Sequence, residues 1–355
     1  MSEGVERSLE PGGAATADAV VVTERAQSAS GDERGGLLHG PAARNLGLVI
    51  ALALLCVVGV VTAGDRFASI DNILTILRLA AITGVLSIGM TFVITGGGID
   101  LSVGSVLGLA SVWASTLATQ TMAQDTHWIV MVFTALLVGV ACGLVNGVLV
   151  AYGNVVAFIA TLAMMVAARG LAEIISNRQT QRVKVQGFLD FFRDDWLGIP
   201  VLVWIFALVS AAGWVLLNRT TFGRRTLAVG GNPEAARLAG IKVKRHTMYL
   251  YALAGLTAGI GGVMMLGRTT AGTSTNGMLY ELDAIAAVVV GGTLLAGGRG
   301  TIVGTVFGVL IFTTLTNVFT LNNLSISAQA IAKGVIIVGA VLLQQRVAAR
   351  SRAGT

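Results

Sequence analysis

A chain of 355 residues that is 54% hydrophobic and only 12% charged falls outside the class of soluble domains, which carry roughly 25% charged residues on average. Its mean hydropathy of +0.80 and its clustered charges, net +6, leave long uncharged stretches suited to a hydrocarbon solvent. Two separated cysteines, Cys56 and Cys142, and three scattered histidines, His39, His127 and His246, predict neither a disulfide framework nor a metal site.

Residues 1–45 are rich in Gly, Ala, Ser and Glu and hold seven acidic residues against four arginines. Such a segment buries too little apolar surface to offset its ordering entropy, so a disordered cytoplasmic tail is expected. It lacks the basic start and early apolar stretch of a secretory signal. Beyond it, residues 46–345 are read as one transmembrane domain, with apolar runs at 46–63, 73–95, 102–119, 128–150, 155–175, 199–217, 248–266, 283–296, 302–320 and 328–344. Most are long enough to cross about 30 Å of hydrocarbon at about 1.5 Å per residue. The run at 283–296 is too short for a straight crossing and is expected either to break or to begin earlier. These runs exceed a barrel strand, and helices satisfy their own backbone in lipid. The expected fold is therefore an all-α integral membrane protein, a polytopic bundle of about ten transmembrane helices.

The first motif lies at 96–108. Three glycines, Gly96, Gly97 and Gly98, close one run. Asp100 and Ser102 are N-cap candidates for the next, and Gly104 and Gly108 offer a small-residue packing face. Gly97, Asp100, Ser102 and Gly104 are candidates for lining or gating a pathway, although a purely capping role for Asp100 is the competing reading. The spacing Val-Gly-x-Val-x-Gly recurs at 303–308 after Gly297, Gly298 and Gly300, either as a duplicated hairpin or by chance in a glycine-rich chain. Interrupted helices of this kind point to a transport path. Arg78, Arg169 and Glu173 also fall within runs. Arg169 and Glu173 are expected to pair at i,i+4 or to snorkel. Asn146 and Asn154 are expected to satisfy helix ends at a turn.

The loop at 218–247 carries Arg219, Arg224, Arg225, Arg237, Lys242, Lys244 and Arg245 against Glu234 alone, and the positive-inside rule places it in the cytoplasm. The tail at 346–355, with Arg346, Arg350 and Arg352, agrees, so both termini are expected inside. Within the loop, Asn232 suits a cap, Pro233 the first helical position, Glu234 the first turn and Gly240 the end. The resulting helix of about two turns is marginal alone and is expected to dock onto something; simple contact of a basic loop with anionic lipid is the plainer alternative.

These two segments carry a family resemblance. Glu-Ala-Ala-x-x-x-Gly at 234–240 resembles the coupling-helix motif of ABC importer permeases. Gly-Gly-Ile-Asp-Leu-Ser-Val-Gly at 97–104 resembles the signature of the ribose-type branch, which serves monosaccharides. The Ile-x-Leu-Pro part of the coupling motif is absent, unlike the maltose-type branch. The resemblance covers nearly all of 46–345. It implies a multi-pass inner-membrane permease paired with a second permease copy or homologue, an external sugar-binding protein and an ABC ATPase. Asn232, Pro233, Glu234, Ala235, Ala236, Arg237, Gly240 and Ile241 would contact that ATPase. No Gly-xxxx-Gly-Lys-Ser/Thr loop is present, so ATP and magnesium are expected on the partner and no cofactor or catalytic residue here. Nucleic acid is not an expected partner. Branched-chain amino acids or nucleosides are the alternative solutes, and a self-powered secondary transporter the alternative class.

Overall fold

The computed structural model describes residues 41–353, so residues 1–40 of the expected tail lie outside the described residues. Its long helices are α1 (Pro41–Ala63), α3 (Ile70–Thr95), α6 (Ile129–Ala151), α7 (Ala157–Ser176), α9 (Val201–Arg219), α12 (Val243–Thr269) and α14 (Ile302–Leu321). These seven are long and apolar enough to cross a membrane. Between them lie α2 (Asp65–Ala68), α4 (Val103–Ala114), α5 (Leu117–Asp125), α8 (Gln186–Arg193), α10 (Thr221–Gly231), α11 (Pro233–Leu238) and α13 (Tyr280–Val290), and α15 (Ile326–Ala353) follows. Four two-residue strands form two small antiparallel pairs, β1 (Gln181–Arg182) with β4 (Ala271–Gly272) and β2 (Asp195–Trp196) with β3 (Ile199–Pro200).

Two expectations are corrected and one is met. The run at 102–119 is two helices, because Thr116 starts a new one by accepting the Thr119 amide on its side chain. The run at 283–296 does begin earlier, at Tyr280, and stops at Val290, where Gly292 takes a left-handed φ of 88°. The loop at 218–247 is largely helical, occupied by α10, α11 and the first turn of α12. At 12 and 11 residues, α4 and α13 reach only about 16–18 Å of the ~30 Å a membrane demands.

Small residues set the closest packing. Gly139, Gly143 and Gly147 on α6 face Gly255, Gly259 and Met248 on α12, and a Cβ on Gly143 would enter the Tyr251 carbonyl. Lipid tails are as apolar as leucine, so such helices associate through close van der Waals contact rather than water exclusion. The opposite face of α6 leaves Phe133, Leu137, Val145 and Val148 exposed, as a lipid-facing surface does.

Contacts sort the turns into two ends. At one, Ser115 and Gln120 bond Gln181 and the Arg182 carbonyl, β1 pairs β4, and Trp128 stacks on Phe191 at 5.0 Å. Arg78 pairs Asp195 there at 3.2 Å, so it reaches out of its helix as snorkelling predicts. At the other end, the turns at 96–98, 230–231 and 297–300 meet. Overpacking costs about 1–3 kcal/mol, so Gly143→Leu should lower the melting midpoint in detergent. Gly170→Leu, at a glycine with open space around it, should leave the midpoint unchanged.

Candidate functional site

Two features converge on the second end. The first is an interrupted segment over residues 271–291. Its upper part, 273–279, is not helical, yet runs along α4: Gly277 lies against Gly104, and the Asn276 carbonyl lies against Gly108. Its lower part is α13, which runs along α14 with Ala287 against Gly308 and Gly291 against Gly304. The two Val-Gly-x-Val-x-Gly copies therefore do matching work, clasping the upper and lower parts of one broken segment. Each glycine admits a backbone where a Cβ would collide.

Irregular backbone packed among apolar helices needs hydrogen-bond partners from the protein. Arg169 supplies them, donating from Nη1 to the Ser274 carbonyl and, at 2.9 Å, to the Asn276 carbonyl. The Asn276 amide donates to Ser111 Oγ and to the Ala271 carbonyl, each at 3.1 Å. The expected Arg169–Glu173 pair is not formed, because Glu173 bonds Arg178 at 3.0 Å and Arg169 is committed to these carbonyls. Glu281 is buried beside Gly104, and its Oε2 finds no donor among the described residues. Asp283 on α13 pairs Lys333 on α15 at 3.0 Å. Glu281 and Asp283 were missed by the sequence reading, which began this run at 283. An acid beside an unusually short apolar run was the available signal.

The second feature is the turn at 96–102. Helix α3 ends in a Schellman motif: the Gly98 amide donates to Val93 and the Gly97 amide to Ile94, both at 2.9 Å, with Gly97 at φ 86°. Asp100 is 1% exposed. Its Oδ1 accepts from Ser102 N at 2.9 Å and Ser102 Oγ at 2.6 Å, and Ser102 Oγ accepts from Asn146 Nδ2 at 2.9 Å. Ser102, not Asp100, occupies the N-cap of α4 and makes no side-chain cap bond. Asn146 sits within α6 and braces this turn instead of ending a helix, whereas Asn154 takes φ 52° in the turn after α6.

The short helix α11 forms as its residues dictate. The Asn232 side chain accepts the Ala235 amide at 3.0 Å, Pro233 follows at the first position, and Glu234 pairs Arg237 at 2.9 Å. Its end is a second Schellman motif: Ile241 N donates to Ala236 O, Gly240 N donates to Arg237 O, and Gly240 lies at φ 81°. Ala236 is buried, and Leu238 is 80% exposed. That exposure was not legible, since a lone leucine in a sequence does not declare its face.

Immediately before α11, Gly230 presses against the Thr95 carbonyl and the Gly298 amide, and Gly298 N donates to Thr95 O at 2.9 Å. Gly297, at φ 84°, places its backbone against Gly97 and Gly230. Of the pathway candidates, Gly97 sits in this three-way contact, Asp100 and Ser102 brace the turn beside it, and Gly104 seals the broken segment. The chain thus has the makings of a polytopic transport protein, with an interrupted segment tied by glycine turns to a short helix, α11, outside the main bundle.

Comparison with known proteins narrows that class. Residues 72–343 match the family described as branched-chain amino acid transport system / permease component. The chain is 41% identical over 302 residues to ribose import permease protein RbsC of Escherichia coli (strain K12), covering 83% of this chain and 92% of that protein. It is 42% identical over 305 residues to RbsC of Bacillus subtilis (strain 168), covering 85% and 93%. It is 36% identical over 326 residues to L-arabinose transport system permease protein AraH of Escherichia coli (strain K12), covering 90% and 95%. No solved structure matches. The chain belongs to this permease family, in its ribose-type ABC branch, and is a multi-pass inner-membrane transport subunit rather than a catalytic one.

A Cβ on Gly230 would enter the Thr95 carbonyl. Gly230→Ala should therefore cost about 1–3 kcal/mol by overpacking, read as a lower melting midpoint. Ala228→Ser, two residues away on an exposed position, should cost nothing measurable.

Proposed function

We propose that this chain forms the translocation pathway of an ATP-driven importer for a monosaccharide, with a pentose such as ribose as the first solute to test. The observation that carries this reading is the extent of the likeness to ribose and arabinose permeases, at 90% or more of their length. The family description also names branched-chain amino acids, which makes leucine the control solute.

In this reading the end bearing α10 and α11 is cytoplasmic, because it holds the densest basic cluster of the chain. Both termini lie on that side, and ten membrane-embedded segments result when α4 with α5, the broken segment 271–291 and the start of α15 join the seven long helices. The expected domain limits stay at 1–45, 46–345 and 346–355, although α1 begins at Pro41 and α15 runs to Ala353. ATP and magnesium bind a separate ABC ATPase, an external binding protein delivers the sugar, and a second permease completes the pathway.

Helix α11 is the contact to the ATPase, through Leu238 and the exposed residues of 232–241. Nucleotide-driven movement of α11 passes through Gly230 to the turns at 97 and 297, which hold α4 and α14. Those helices clasp the broken segment, so their displacement favours inward- over outward-facing states. Asp100, Ser102 and Asn146 are positioning residues for α4, and Arg169 holds the non-helical part of the broken segment through the Ser274 and Asn276 carbonyls.

Proteoliposomes containing this permease, its ATPase and its binding protein should take up labelled ribose only with ATP, and leucine should not compete. Glu234→Lys or Gly240→Trp should abolish uptake and ATPase co-purification while leaving membrane insertion intact. Normal uptake by either variant would contradict the role given to α11.

A further inference from the structure

Beside α11 lies a cavity of about 510 Å³ lined by Thr221, Phe222, Arg225, Lys242, Arg245, His246 and Tyr249, with Gly240 and Ile241. This is within the size range of small-ligand sites, about 300–1,000 Å³. Its wall holds three fixed cations and no carboxylate. Arg225 and Lys242 form no ion pair among the described residues, and Arg245 spends its Nε proton on Tyr249 Oη at 2.6 Å while lying 5.4 Å from that ring's centroid. His246 is held by Thr226 Oγ1 at 2.9 Å. The nearest acid along the chain, Glu234, is already bound to Arg237. The cavity is therefore a preformed site of uncompensated positive charge.

Its surroundings select among anions. Arg245 and His246 sit in the first turn of α12, where that helix would enter the membrane. Tyr152 caps the end of α6 and Tyr249 lies in the second turn of α12, both exposed, as amphipathic rings of an aromatic belt do. Further along α6, Leu144 and Leu149 are exposed, apolar side chains available to an acyl chain. A ligand suited to both regions is anionic at one end and hydrocarbon at the other.

We propose that this cavity binds the headgroup phosphate of an anionic phospholipid of the cytoplasmic leaflet. Arg225, Lys242 and Arg245 surround the phosphate, and the acyl chains run along α6. The occupied site braces the base of α10 and α12, the two helices between which α11 is strung. Basic pockets between helices on the cytoplasmic side recognise such headgroups through charge, at about fivefold in affinity per Lys or Arg near the surface. This assignment rests on the cytoplasmic orientation given above.

The full chain in nanodiscs of equimolar phosphatidylcholine and phosphatidylglycerol, released into native mass spectrometry, tests it. The wild-type chain should retain phosphatidylglycerol in preference to phosphatidylcholine. The double variant Arg225→Gln/Lys242→Gln should lose about 25-fold of that preference (fivefold per charge). Lys242→Gln alone, at an exposed side chain, should lose about fivefold and serves if the double variant does not fold. Arg225→Lys, which keeps the charge, should retain the preference. Equal retention of both lipids, or an undiminished preference in the charge-removed variants, would overturn the assignment. So would displacement of the lipid by inorganic phosphate alone, which would make free phosphate the ligand, or cross-linking of residue 242 to the ATPase in place of lipid. Accessibility of residue 242 to an impermeant reagent from the external side would instead overturn the orientation, separating that failure from failure of the site.

Discussion

Three backbone turns approach one another more closely than any side chain would permit, and much of the molecule's arrangement depends on that contact. Thr95 at the end of α3, Gly230 at the end of α10 and Gly297–Gly298 before α14 share one small volume, joined by the Gly298–Thr95 hydrogen bond. Gly97, Gly297 and Gly298 lie at φ between 75° and 86°, a region open to glycine at little cost and closed to most other residues. Interfaces packed this tightly deform little, so displacement of one turn carries the others. The same glycines that let the turns touch thereby make them a mechanical unit.

That unit explains why the interrupted segment is tolerable. A buried stretch of backbone left unpaired costs about 1–3 kcal/mol per unsatisfied group. Here Arg169 and Asn276 answer the carbonyls, two pairs of glycines bring α4 and α14 flush against the segment, and the Asp283–Lys333 pair holds its lower part to α15. The segment is held by contacts that belong to helices whose ends meet at the glycine junction. A change at the junction is therefore felt by a segment that lacks its own complete hydrogen-bond ladder.

Some of this was legible in the residues and some was not, for reasons that differ by element. Helix α11 was readable because its cap, proline, acid and terminal glycine each act within a few residues of chain. The long apolar helices were readable from length. Helix α4 was misjudged in extent because hydropathy does not register a break made by Thr116 inside an apolar run, whereas the run holding α13 was already too short to be read as a straight crossing. Of the two outcomes expected for Arg169 and Glu173, pairing or snorkelling, pairing does not occur, because i,i+4 spacing cannot compete with carbonyls brought in from more than 100 residues away. The glycine junction could not be inferred at all: each turn looked like an ordinary helix end, and only the packing of three of them together gives the contact its meaning.

The central claim is that movement of α11 reaches the broken segment through this junction, and amide hydrogen exchange on the permease–ATPase complex in nanodiscs tests it most directly. Addition of ATP under non-hydrolysing conditions should change exchange at 96–100 and 294–300 together with 230–241, because the Gly298 amide bonds the carbonyl that Gly230 presses against. A nucleotide-dependent change confined to 230–241, with 96–100 and 294–300 unaltered, would contradict the account.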